Sequence, residues 1–440
     1  MSTLSVVTAI ADPRWEADLV AGFARAEGVT VVRRCVDVAD LLATTSAGIA
    51  NGVVASADLR RLDRDVVTRL DLMGVAVVGM HKPDDAEAEQ ALRRLGVTHL
   101  VSADAPPEEV VGRLRSALDL LGPDRHRASS RPAEPASPTA GDSSAKQAAV
   151  ELGRLVAVWG PTGAPGRTTV AVGIAGELAA AGHEVVLVDA DVYGGTVAPM
   201  LGVVGDGAGF ATACRLANAG RLDAVTLAGI AREVGPGLRL LGGIARADRW
   251  DEVRPSAAEA VLALAQTLGA YVVVDCGFCL EEDEDLSYDT AAPRRNGATV
   301  GVLRAADTVL AVGSGDPIGL QRLVRGLAEL GEAVPGVDPV VVVNRVRART
   351  AASGDPRVQV ADALRQFASV TPQAFIPLDQ AATDKAVLTA RTLTEAAPAS
   401  PARHALADLA ATVSGSQPRT RARQRQLVGA AARRIRRRHG

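Results

Sequence analysis

A chain of 440 residues exceeds one ordinary hydrophobic core, and its length points to two or three domains. Hydrophobic residues make up 48% of it and aromatics only 2%, so its cores are built from Val, Leu and Ala, the composition of buried parallel strands under alanine-rich helices. Four cysteines (Cys35, Cys214, Cys276, Cys279) argue against a disulfide scaffold, no apolar run reaches the ~20 residues of a bilayer span, and Met1-Ser2-Thr3-Leu4 lacks the basic start of a secretory signal, so a cytoplasmic protein is expected.

From the amino terminus, five short apolar segments read as strands: Leu4–Ile10, Val29–Arg33, Gly52–Ala55, Val75–Met80 and His99–Ser102. The stretches between them, such as Arg14–Glu27 and Asp85–Leu95, repeat their apolar residues at three- and four-residue spacing, and Pro107 opens a last helix. The expectation for 1–121 is a (βα)5 unit with a parallel sheet. Residues 122–150 are rich in Pro, Ser and Ala without apolar periodicity, the composition of a disordered linker.

A second α/β domain is expected over 151–413, with strands near Leu155–Trp159, Val185–Asp189, Leu238–Leu241, Tyr271–Asp275, Thr308–Ser314, Pro339–Asn344 and Ala374–Ile376. Residues 414–440 form a basic tail, expected to be disordered or helical. Arg419–Arg438 contains nine arginines and no acid, so with a net charge of −3 for the whole chain the remainder carries −12. Such a tail suits contact with an anionic membrane or nucleic acid, or a solubilising role without a partner.

The strongest chemical signal is Gly160-Pro161-Thr162-Gly163-Ala164-Pro165-Gly166-Arg167-Thr168-Thr169, placed after an apolar strand and before an alanine-rich helix, where a phosphate-binding loop belongs. Glycines let the backbone approach phosphate, the helix N-terminus offers N–H groups, and the Thr168 hydroxyl suits Mg²⁺. The rival reading of the loop is a Gly/Pro-rich turn that only caps a helix, and three further strand ends favour the chemistry. Asp189-Ala190-Asp191 puts two carboxylates at a strand's carboxyl end. Asp275 stands where a carboxylate holds metal through water, and Asn344-Arg345 offers an amide for a purine edge.

On these residues, together with Gly194, Gly195 and Ile376-Pro377-Leu378-Asp379, the stretch from about 155 to 413 resembles the MinD/ParA family of deviant Walker A ATPases. The resemblance implies a nucleotide site of Gly163, Ala164, Pro165, Gly166, Arg167, Thr168, Thr169, Asn344 and Arg345, with ATP and Mg²⁺ as cofactors. It implies Thr168 as Mg²⁺ ligand, Asp275 behind the metal through water, Arg167 on the phosphates, and Asp191 orienting the attacking water. It also implies a homodimer assembled around two ATP molecules, which positions a cellular machine. The family's loop reads Lys-Gly-Gly-x-Gly-Lys-Thr-Thr, whereas Thr162 and Arg167 hold the two lysine places here. Arginine keeps charge but is a broad planar fork, so binding with slow hydrolysis is expected.

The (βα)5 unit is similar to a response-regulator receiver, with Asp12 as an acid and Asp58 as a degenerate phospho-acceptor. Met80-His81 and Ser102 stand where a receiver has its hydroxyl and lysine, so a pseudo-receiver is expected, used for docking or dimerisation. This domain order resembles the TadZ/CpaE branch, which implies protein partners in a Flp/Tad pilus or secretion apparatus. Septum or chromosome positioning uses the same chemistry. A scaffold that no longer hydrolyses ATP is the rival reading. Cys276-Gly277-Phe278-Cys279 reads as small thiols, with an iron–sulfur site shared between subunits as the minor alternative. Glu281 to Asp285 reads as a solvated acidic loop, and association with the inner face of a membrane through the tail is a further expectation.

Overall fold

In the computed structural model the described residues are 4–121, 152–163, 166–205, 207–281, 294–347 and 355–416. The linker expected at 122–150, loop residues Ala164 and Pro165, the acids from Glu282 to Asp285, and the arginines of the tail lie outside them. The chain divides into two units, each described by itself.

The first unit carries strands β1 (Leu4–Ala9), β2 (Val29–Arg34), β3 (Gly52–Ser56), β4 (Ala76–His81) and β5 (His99–Ser102). Its helices are α1 (Pro13–Phe23), α2 (Val38–Ser46), α3 (Arg64–Leu72), α4 (Ala86–Arg94) and α5 (Pro107–Leu120). The sheet is parallel throughout, in the order β2-β1-β3-β4-β5. Side chains alternate across a pleated strand, so neighbouring residues of β1 serve opposite faces. Val6 packs with Val54, Val78, Phe23 and Leu114 on one side, and Val7 with Val53, Leu41 and Leu70 on the other. Asp12, Asp37, Asp63 and Asp85 each accept a backbone N–H at the start of α1 to α4, which satisfies a first-turn donor.

The second unit is built on β6 (Arg154–Trp159), β7 (Val185–Ala190), β8 (Arg232–Gly235), β9 (Leu238–Leu241), β10 (Tyr271–Cys276), β11 (Thr308–Ser314), β12 (Val340–Val346) and β13 (Ala374–Pro377). The helices that matter to the site are α6 (Arg167–Ala180), α7 (Val197–Met200), then, after α8 (Gly209–Asn218) and α9 (Ala224–Ile230), α10 (Pro255–Ala265), α11 (Gly297–Ala305), α12 (Pro317–Ala333), α13 (Pro356–Ala368), α14 (Gln380–Leu388), α15 (Leu393–Ala396) and α16 (Pro401–Val413). The eight strands run β13-β12-β11-β6-β10-β7-β9-β8, and the β8–β9 pair is antiparallel while the other pairs are parallel. β6, β7 and β10 are central strands buried almost throughout, which is why they read as continuous apolar runs.

α6 is held against the sheet by Val170, Ile174 and Leu178, and it packs on α16 around Leu406. A Cβ at Gly173 would lie 2.6 Å from Leu406 Cδ1, so a larger residue there would push the helices apart. At the same junction buried Glu177 accepts two bonds from Arg403, at 2.6 and 2.7 Å, and one from Thr394 at 2.6 Å. A buried carboxylate is tolerated here because it is fully paired. The result is a helix whose N-terminus is fixed at the carboxyl end of β6.

Candidate functional site

Parallel pairing aligns the carboxyl ends of the central strands along one edge. Asp275 of β10 stands opposite Val158 of β6 and Asp189 of β7, and Asn344 of β12 stands opposite Ser314 of β11. The loop from Gly160 to Gly166 leaves β6 in the middle of this edge, where ligands bind in open α/β sheets. Gly163 and Gly166 have φ of +74° and +92°, the left-handed region that suits glycine. Gly166 is the N-cap of α6, and as a glycine it offers no side-chain cap to the first-turn amides. Those donors therefore face the loop and suit an anion.

Arg167, the cation of the loop, is turned inward and buried. Its Nη1 donates to Gly160 O at 2.8 Å and Pro161 O at 3.3 Å, and its Nη2 stands 3.6 Å from Asp191 Oδ2. Its guanidinium also lies over the Phe278 ring, 5.8 Å from the centroid. Asp191 is committed on its other oxygen, which accepts from Tyr193 N at 2.9 Å and Gly194 N at 3.3 Å. Tyr193 is braced in turn by Phe278, by the Arg295 guanidinium 3.9 Å from its ring centroid, and by a 2.7 Å bond from its hydroxyl to Asn296 Oδ1.

Asp189 anchors the following turn, accepting from Asp191 N at 3.2 Å and Val197 N at 3.1 Å. Burial pushes its pKa up to about 7 against the pull of those two amides. Asp275 is more exposed to this conflict because neither of its buried oxygens accepts a geometrically sound hydrogen bond. Burial and then the neighbouring Asp189 raise its pKa well above the carboxylate range, while Thr168 and Arg167 oppose the shift. A buried carboxylate without a donor, beside the Thr168 hydroxyl, fits a divalent cation or its water shell. Thr168 would ligate the ion directly, and the ion would offset phosphate charge.

This geometry has a measurable consequence. The folded-state pKa of Asp275 lies above the unfolded value, so ionising the group costs stability increasingly as pH rises past the unfolded value. Asp275→Asn should therefore gain stability over the wild type as pH rises to 8, because the amide has no proton to lose. The gain should shrink toward pH 4, and any stabilisation by Mg²⁺ should be lost. Thermal melts across that pH range, with and without Mg²⁺, check both parts; a loss of stability at pH 8 would contradict the account.

Thr169 lines a small cleft with Val172, Met200, Ala386, Arg391 and Leu393. Asn344 lies against the loop, its Nδ2 2.6 Å from where a Cβ on Gly166 would be, and its Oδ1 accepts from Arg345 N at 2.8 Å. Arg345 is exposed, with φ of +54°. Trp159 belongs to the core, its Nε1 bonded to Phe278 O at 3.2 Å. Burial, then Asp275, pushes the Cys276 thiol far up, away from the thiolate that metal binding needs. Among the described residues no group of three or more His, Cys, Asp or Glu is placed to hold a metal ion by itself. In the first unit, Asp12 caps α1, Asp58 is exposed in the turn after β3, and Ser56 at the strand end accepts from Ala11 N at 2.9 Å. The bracing of Tyr193 by Arg295 joins residues far apart in sequence, and the anchoring by Asp189, though local, follows no motif read from the sequence.

Residues 151–217 match the family model ParA: NUBPL iron-transfer P-loop NTPase. The matched segment holds the loop, α6 and the Asp189-Ala190-Asp191 strand end. Among solved structures the chain is similar to a ParA family ATPase from Chlorobium tepidum TLS, at 20% identity and a TM-score of 0.47, over 58% of this chain and 98% of that one. It is also similar to the cell division ATPase MinD of Pyrococcus furiosus, at 19% identity and a TM-score of 0.46, over 60% and 99%. The septum site-determining protein MinD of Pyrococcus horikoshii OT3, in complex with Mg-ADP, is 18% identical with a TM-score of 0.46, over 60% and 96%. No curated protein matches the chain in sequence. Among the described residues no helix is long and apolar enough to cross a membrane.

Proposed function

We propose that the protein binds ATP with Mg²⁺ at the loop from Gly160 to Thr169, dimerises on binding, and hydrolyses the nucleotide slowly. The observation that carries this reading is the state of the two charged groups at the loop. Arg167 is buried and spends its guanidinium on loop carbonyls and Asp191, while Asp275 faces Thr168 without a donor. A phosphate held by the amides of α6 and a metal at Thr168 would complete both groups. The nucleotide-binding residues are Gly163, Ala164, Pro165, Gly166, Arg167, Thr168 and Thr169, with Asn344 and Arg345 at the base. Asp191 orients water, and Arg167 stabilises charge on the transferred phosphoryl group. Hydrolysis is slow because Thr162 offers no cation and Arg167 is already engaged.

In this reading nucleotide binding is an assembly switch for a positioning protein. The leading role is placement of a Flp/Tad-type pilus or secretion apparatus, as in the TadZ/CpaE branch, with the first unit a pseudo-receiver that docks a protein partner. Septum or chromosome positioning would use the same switch. The Arg167–Asp191 ion pair within the chain also favours a second reading, a scaffold that keeps the fold without nucleotide. Light scattering on the full chain separates the two. The mass should rise from the 45.2 kDa of one chain toward twice that with Mg-ATP and not with Mg-ADP. A mass indifferent to nucleotide overturns the switch.

A further inference from the structure

α12 crosses directly above the first half of the phosphate loop. A Cβ at Gly326 would lie 2.8 Å from Pro161 Cβ and 3.2 Å from Trp159 Cη2, so helix and loop meet at van der Waals distance. Leu323 is fully buried beside Gly313 of β11 and fixes the rotation of the helix. Arg322 lies one turn before Gly326, on the same face. Its guanidinium rests on Gly163: Cζ stands 2.7 Å and Nε 3.4 Å from the position of a Cβ on that glycine, and Nη1 is nearer still. Arg322 is exposed and makes no hydrogen bond or ion pair with the described residues. The loop is therefore bordered by two cations in opposite states. Arg167 is buried and engaged, and Arg322 is at the rim with its donors in solvent. Thr162, next to Gly163, supplies no charge.

We propose that Arg322 is a phosphate-contacting residue of this site, delivering from α12 the positive charge that the loop lacks at Thr162. The proposal rests on the reading of the loop as a nucleotide site. A guanidinium in place beside Gly163 needs only a side-chain rotation to turn its planar fork of N–H donors toward a terminal phosphate. The presence of glycine at 163 has a second reason here, since any side chain would displace the guanidinium as well as strain the left-handed backbone.

Calorimetric titration of Mg-ATP into the full-length protein and its variants tests this. Arg322→Ala and Arg322→Gln should each weaken Mg-ATP by about 10- to 100-fold, with a shallower dependence of affinity on salt, and Arg322→Lys should lose clearly less. Arg325→Ala, on the same helix but paired with Glu329 at 2.7 Å, should leave affinity unchanged. Melting temperatures should stay at the wild-type value because Arg322 is exposed. Wild-type affinity in Arg322→Ala, or an equal loss in Arg325→Ala, overturns the assignment while leaving the nucleotide reading intact. If the wild-type chain takes up no Mg-ATP, the nucleotide reading fails and the assignment falls with it.

Discussion

Gly166→Val should reduce Mg-ATP affinity at least about 100-fold while leaving the protein folded. The residue is at φ +92°, a region in which a β-branched side chain is strained by about 1–3 kcal/mol. A Cβ there would also lie 2.6 Å from Asn344 Nδ2, so the Asn344 amide would have to give way as the strained backbone relaxes. The loop would move at the point where it hands over to α6, taking the first-turn amides out of register with a bound phosphate. The core under the site, from Val158 to Ile174, is untouched by the change. Calorimetry reads the affinity and circular dichroism the fold. An affinity within threefold of wild type would mean that the α6 terminus does not hold phosphate.

Asp191→Ala should separate turnover from binding. Its Oδ1 already accepts two loop amides and its Oδ2 faces Arg167, which leaves Oδ2 as the atom able to orient water at the phosphate. Removing it should cut the proposed turnover by ~10²- to 10³-fold. Affinity for Mg-ATP should hold or tighten, because the Arg167 guanidinium loses its competing carboxylate. Single-turnover assays with labelled ATP give the rate, and the same titrations give the affinity. Unchanged turnover would remove Asp191 from the chemistry, and a parallel loss of affinity would make its role the shape of the 191–197 turn.

Much of this arrangement was legible in sequence because its determinants are local. Continuous Val/Leu runs marked β6, β7 and β10 within a residue or two, and the glycine spacing between a strand and a helix marked the loop. Strand-end carboxylates were legible because a parallel sheet puts all such ends on one edge. β8 was not, since Arg232-Glu233-Val234-Gly235 is a short, half-exposed edge strand with no apolar run and pairs antiparallel with β9. The approach of Arg322 to Gly163 and the seating of Arg167 against Asp191 and Phe278 depend on packing between separate elements, and no spacing rule encodes them. Asp189 read only as the first acid of the Asp189-Ala190-Asp191 strand end, yet it holds the turn that presents Asp191.

The central claim is that the loop and its three strand ends form one site for a magnesium nucleotide. Isothermal titration of the unmodified full-length chain with ATP, in the presence and absence of Mg²⁺, tests it most directly. The account predicts saturable binding of one nucleotide per chain below millimolar concentration, strengthened by Mg²⁺. Absence of binding by ATP and ADP alike at millimolar concentration would contradict it, and would leave a scaffold that has kept the fold of a P-loop NTPase without its ligand.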